Sequence, residues 1–155
     1  MPGLRALFSD GLKDAMRQKD QRRISTLRLI MAAIKDRDIA ARSEDRMDGV
    51  TDDEILQILQ KMIKQRNESM QQYEAGGRID LLEQEREERA IIEAYLPKQL
   101  SVDEVKAAAK TVIADLGAAG LKDMGRTMNE LKVRYAGKMD FAKASAVVKE
   151  LLTAA

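Results

Sequence analysis

The chain of 155 residues is 45% apolar but only 3% aromatic, contains no Trp, Cys or His, and balances 27 Lys plus Arg against 26 Asp plus Glu for a net charge of +1. Without Cys and His there are no disulfides, no thiolate nucleophile, no zinc site of the usual type and no ordinary general base near neutral pH. The balanced charge excludes a global basic field, so any nucleic-acid contact has to be local.

Leu4, Leu7, Phe8, Leu12, Ala15 and Met16 recur at intervals of three and four, which predicts a first amphipathic helix from Leu4 to about Arg17. Gly11 lies inside it at a cost of about 1 kcal/mol relative to Ala. Asp20 is placed to cap a second helix, Gln21 to about Arg42, with Ile24, Leu27, Met31 and Ile34 on one face. Arg17, Lys19, Arg22, Arg23 and Arg28 crowd the turn between these helices and read as a solvated face. After a polar loop, Thr51 and Glu54 have capping-box spacing and open a long third helix, whose stripe of Ile55, Ile58, Leu59, Met62, Ile63, Met70 and Tyr73 runs to a stop at Gly76 and Gly77. The short turn makes the next helix, about Ile79 to Tyr95, an antiparallel neighbour. Its EQEREER segment reads as an outer face, pairing Glu83 with Arg86 and Glu85 with Arg89.

Pro97 lacks an amide hydrogen and disfavours the α region for Leu96, so the helix arriving at Tyr95 must stop. Ser101 with Glu104 then forms a second capping box. The boundary divides the chain into an N-terminal helical domain of about four helices, residues 1–96, and a C-terminal three-helix domain, residues 97–155. In the second part, Val102 to Leu116 is a helix closed by Gly117, Leu121 to about Tyr135 is another closed by Gly137, and Asp140 caps the last. No alternating strand pattern occurs, so the fold class is all-α. Met16, Met31, Met62, Met124 and Met128 fall on the apolar stripes and are expected to pack in the cores.

No phosphate loop, dinucleotide fingerprint, nucleophile elbow or metal-binding pair is present, and no catalytic residue, metal ligand or cofactor is assigned. Asp123 and Asp140 read as caps or turn residues. No apolar run approaches the ~20 residues of a membrane span, and the first residues lack a signal-peptide pattern, so a cytoplasmic location is expected. Residues 97–155 carry ten Lys plus Arg and seven Asp plus Glu, +3, which leaves 1 minus 3, or −2, for residues 1–96. Lys122, Arg126, Lys132, Arg134, Lys138 and Lys143 gather around two glycine-containing turns, a pattern open to either a solvated surface or a phosphate-binding one.

The order and spacing of several stretches resemble the YqeY-like family: Thr26-Leu27-Arg28; Lys64-Gln65-Arg66 with Ser69 and Tyr73; G-G-R-x-D-L from Gly76; Y-L-P-K-Q-L-S from Tyr95; K-D-M-G-R from Lys122; and the segment from Asp140 to Leu152. The C-terminal part is similar to the GatB tail domain of the tRNA-dependent aspartyl/glutamyl amidotransferase. The resemblance implies an all-α fold and a tRNA-associated accessory module, with tRNA or amidotransferase components as partners. Carbon–nitrogen ligase activity with glutamine as amido donor follows only as a family label. Lys122, Gly125 and Arg126 fall on the tail domain's recurrent motif and Lys138 lies in the turn before the last helix, which makes them the expected backbone contacts beside Lys132 and Arg134. Gly125 also reads as a close helix-packing position. The alternative function is a protein-interaction adaptor or homo-oligomeric scaffold using the long N-terminal helices. Movement between the two parts is expected to turn on residues 96–101.

Overall fold

The computed structural model describes residues 3–154, and among them every regular element is helical. The helices are α1 (Leu4–Arg17), α2 (Gln21–Ser43), α3 (Asp52–Ala75), α4 (Ile79–Glu93), α5 (Val102–Leu116), α6 (Met124–Arg134) and α7 (Phe141–Thr153). Local chemistry sets most of their starts. Asp20 accepts from the Arg23 amide, Thr51 and Ser101 each form a reciprocal capping box with the Glu three residues on, and Asp140 accepts from the Ala142 and Lys143 amides. Gly77 and Gly117 take the left-handed conformation just past α3 and α5. One boundary differs from expectation: Leu121–Asp123 is a single 3₁₀ turn, so α6 proper begins at Met124. Asp123 commits its carboxylate to the Ala119 amide, 2.7 Å away, and makes no side-chain cap to α6.

The chain separates into two compact units, Met1–Leu96 and Pro97–Ala155. In the first, Phe8 and Ala15 of α1, Leu27, Ile30 and Ile34 of α2, Ile55, Leu59 and Met62 of α3 and Ile92 of α4 close one core. α3 has no fully buried residue beyond Met62, and α4 none before Glu88. The far ends of these two helices therefore form a hairpin with only half-buried side chains along its seam. In the second unit, Ala109 and Val112 of α5, Met128 and Leu131 of α6, and Ala144, Val148 and Leu152 of α7 form a separate core. Tyr95 and Leu96 pack on the first core. Gln99 donates to the Gly137 carbonyl at 2.6 Å and the Leu100 amide to the Lys138 carbonyl at 2.8 Å. Those bonds fasten residues 99 and 100 to the turn between α6 and α7.

Several side chains depart from their sequence-based roles. Gly11 is required for packing: a Cβ there would collide with the Tyr95 hydroxyl, whose ring meets Phe8 edge-on at 4.9 Å. Met16 is 51% exposed, so it leaves the core that Met62 and Met128 enter. Arg86 pairs with Glu83 at 2.5 Å as expected, but Arg89 turns to Glu93 at 3.7 Å and to Asn67 at 2.7 Å instead of Glu85. The arginines near the first turn are also engaged, Arg23 with Asp14 at 3.0 Å and Arg22 with Glu87 at 3.0 Å.

Thr26 is fully buried in α2, and its hydroxyl has no hydrogen-bond partner among the described residues. Thr127, equally buried in α6, donates to the Asp123 carbonyl at 2.8 Å. A buried unpaired hydroxyl costs about 1–3 kcal/mol, whereas an isosteric methyl costs nothing in lost bonds. Thr26→Val is therefore expected to stabilise the N-terminal unit by about 1 kcal/mol in guanidinium denaturation, while Thr127→Val destabilises its own unit. A lowered midpoint for Thr26→Val would refute the assignment.

A polar clasp closes the first unit at one end. Arg5 grips Asp38 through both terminal nitrogens, at 2.7 and 2.8 Å, and donates to the Val50 carbonyl at 2.9 Å, while the Val50 amide donates back to Asp38 at 2.9 Å. Gly49 permits this arrangement, since a Cβ there would strike the Asp38 carboxylate. The Arg5 hydrogen bonds, aided by the Val50 amide and opposed by burial, pull the Asp38 carboxyl down to about 2 from 3.8. A carboxyl depressed on folding stabilises the native state above its unfolded pKa and loses that contribution as pH falls through the folded one. The clasp should thus lose about 1–2 kcal/mol between pH 4 and 2, discounted because Arg5 is 45% exposed. The stability gap between wild type and Asp38→Asn should shrink over that interval, and a gap independent of pH would contradict the account.

Candidate nucleic-acid interface

α6 carries most of the residues expected to contact a phosphate backbone, and its geometry sorts them into two groups. Lys122 sits in the 3₁₀ turn, and Gly125 and Arg126 lie in the first turn of α6. Lys132 and Arg134 are in its last turns, and Lys138 follows in the turn before α7. At 1.5 Å per residue, Arg126 and Arg134 are about 12 Å apart along the axis, comparable to a few phosphate spacings on one strand. Lys132 and Arg134, two residues apart on a helix, point to different faces. The structure therefore places the six residues as one group at each end of α6.

Five of the six present an exposed side chain, and Gly125 presents exposed backbone, yet the cations differ in how free they are. Arg126 donates to the Leu116 carbonyl at 2.9 Å and pairs with Asp123 at 3.2 Å, tying the start of α6 to the end of α5. Arg134 pairs with Asp115 at 2.7 Å and with Glu130 at 2.8 Å, tying the end of α6 to α5. These bonds hold the Arg134 guanidinium more firmly protonated than usual, Asp115 contributing most and then Glu130. The Asp123 carboxyl is held below its ordinary value, first by the Ala119 amide and then by Arg126. Lys122, Lys132 and Lys138 make no ion pair among the described residues. A Cβ at Gly125 would meet nothing within 4 Å among the described residues, so the close helix-packing reading of this glycine is not met and its backbone is open to an approaching group.

Sequence reasoning missed a buried polar cluster in the first unit. Glu88 of α4 is only 7% exposed; one carboxylate oxygen stands 3.2 Å from Nε of Arg66 on α3, and the other lies 3.9 Å from Arg22 of α2 and accepts from Gln84 at 3.4 Å. Arg66 Nε makes no hydrogen bond among the described residues, although another of its nitrogens donates to the Met62 carbonyl at 3.2 Å. Burial, and next the charge of Glu88, push the neighbouring Glu85 carboxyl above its ordinary value while Arg66 opposes them. The signal was present in the spacing. Leu81, Glu85, Glu88, Ile92 and Tyr95 recur at four and three, so Glu88 occupies an apolar-stripe position despite its charge. Among the described residues no group of three or more potential ligands is arranged to hold a metal ion, and no helix is long and apolar enough to cross a membrane.

The family model described as Yqey-like protein matches residues 5–152. Altered inheritance of mitochondria protein 41, mitochondrial, of Kluyveromyces lactis is 35% identical over 74% of this chain and 60% of its own length. The protein of that name in Candida glabrata is 33% identical over 59% of this chain and 48% of its own. An uncharacterized protein of Schizosaccharomyces pombe is 29% identical over 65% of this chain and 78% of its own. The chain thus spans about half the length of the Candida glabrata relative and three-fifths of the Kluyveromyces lactis one.

Proposed function

This chain belongs to the YqeY-like family, and from that premise we propose that it is a tRNA-associated accessory module whose C-terminal unit holds the phosphate backbone and performs no chemistry alone. Amido-transfer chemistry would then reside in a partner. The observation that carries the reading is the division of labour among the cations: Arg126 and Arg134 brace α6 against α5, while Lys122, Lys132 and Lys138 stay exposed and without ion pairs among the described residues. Compact, mobile ammonium groups suit sequence-independent phosphate contact, since each neutralised phosphate releases a counterion without demanding a fixed fork geometry. The test is binding of mixed tRNA at two salt concentrations by the wild type and by the combined variant Lys122→Glu, Lys132→Glu, Lys138→Glu. Arginine substitutions would be a poor test, because they would also loosen the unit.

A second reading, the protein-interaction adaptor, draws support from the α3–α4 hairpin. Ile63, Met70, Tyr73, Leu81 and Leu82 remain half-buried along its seam, a surface that a further helix would cover. It requires a nuclease-resistant assembly. A monomer by sedimentation, together with tRNA binding, favours the first reading.

A further inference from the structure

The outer face of α2 carries a repeat that the core of the N-terminal unit does not use. Arg28, Lys35 and Arg42 stand seven residues apart and are all exposed. At about 1.5 Å per residue they form a row of about 21 Å, with a cation about every 10.5 Å. The arginines around them are taken: Arg5 pairs with Asp38, Arg22 with Glu87, Arg23 with Asp14 and Arg46 with Glu54. The row itself makes no ion pair among the described residues, and Asp38, whose carboxylate senses the charge of Arg42, is already held by both terminal nitrogens of Arg5. Ala32 and Ile39 fall between the three cations at alternating steps of four and three, and Leu29 flanks them. Ile39 and Leu29 are 52% and 48% exposed, so this face offers aliphatic surface as well as charge.

We propose that the outer face of α2 docks an acidic amphipathic helix of a partner protein, one with Asp or Glu at every seventh residue and aliphatic residues between them. A partner helix repeats its side chains at the same step of about 10.5 Å, so three carboxylates meet three cations in a single register. A nucleic-acid strand fits the row less well. Its phosphates advance about 3.4 Å along the helix axis, and its backbone gives Ile39 and Leu29 nothing apolar to lie against. On a helix the aliphatic residues lose water while the cations find counter-charges, which steers the encounter and fixes the register. Four turns of contact make a small interface, so the complex is weak and quickly exchanging. No helix among the described residues carries acids at three successive seven-residue steps, so the partner is a different chain. The surface uses neither the α3–α4 hairpin nor the tRNA reading.

The probe is a synthetic helix of about 20 residues with Glu at every seventh position and Leu three residues after each, long enough to be helical in water. Its control has the same composition with the Glu residues spread around the helix. Methyl NMR of the full chain, with Leu29 and Ile39 as reporters, reads the binding. The probe should give saturable shifts at those methyls, and the control should bind about tenfold more weakly. Reversing the row with Arg28→Glu, Lys35→Glu and Arg42→Glu together should weaken the probe about tenfold or more, with thermal melts establishing that the variant is folded. Ile39→Ala, which keeps every cation, should weaken it about threefold, read at Leu29. The row variant should leave tRNA binding within about twofold. Equal affinity for probe and control overturns the proposal, as does the absence of saturable shifts up to about 1 mM peptide. So does tRNA that saturates the Leu29 and Ile39 methyls and is lost on reversing the row, since the face would then be a phosphate surface. The comparison of the two peptides on the wild type decides the matter even if the row variant fails to fold.

Discussion

Glu88→Ala is expected to destabilise the N-terminal unit by about 3 kcal/mol, enough to lower its melting temperature by roughly 10 °C or more. The substitution removes the carboxylate that faces Arg66 at 3.2 Å and leaves a guanidinium whose side chain is only 12% exposed without its counter-charge. Breaking a buried pair in this way costs about 3–5 kcal/mol, and the lower figure applies because Glu85, half-buried on the same face, can turn toward Arg66. The pair itself is not expected to add much over a hydrophobic filling. Arg66→Leu combined with Glu88→Leu should recover most of the loss, since neither charge is then stranded. Guanidinium denaturation followed by circular dichroism decides the matter. A loss below about 1 kcal/mol for Glu88→Ala, or a double variant worse than the single one, would sink the account.

Reversing Lys122, Lys132 and Lys138 together should abolish most tRNA binding at low salt and flatten its salt dependence. If each lysine neutralises one phosphate, the slope of log affinity against log salt loses about 0.7–0.9 per residue, or about 2–3 in all. Affinity at about 50 mM salt should drop by more than 100-fold, with added repulsion from the three carboxylates. Because these lysines make no ion pair among the described residues, the melting temperature should stay within a few degrees. Equal slopes for variant and wild type would remove the phosphate-contact reading.

The positions where sequence reasoning succeeds share a physical basis in local chemistry. Asp20, Thr51 with Glu54, Ser101 with Glu104, and Asp140 announce helix starts because each cap bonds an amide two or three residues away. The all-α class follows for the same reason, since the 3.6-residue period needs no knowledge of partners. Glu88 defeats such reasoning because charge and stripe position conflict, and the charge suggested solvent. Arg126 and Arg134 look like their lysine neighbours in sequence, yet their partners, Leu116 and Asp115, lie ten and nineteen residues away on another helix. Gly11 reads as a helix defect until Tyr95 appears against it, far along the chain.

That last contact sets an order of events during synthesis. Phe8 belongs to the first helix of its unit, but the ring that covers its edge, Tyr95, comes from the last residues of the same unit. α1 and α2 can form as soon as they emerge, because helices grow from local bonds in well under a millisecond. Their shared core stays open until the chain is complete to Leu96, whereas a domain closed by early contacts would be finished sooner. A nascent chain truncated before Tyr95 therefore presents Phe8 and its apolar surroundings to water, and this interval is when the N-terminal unit most needs protection from aggregation.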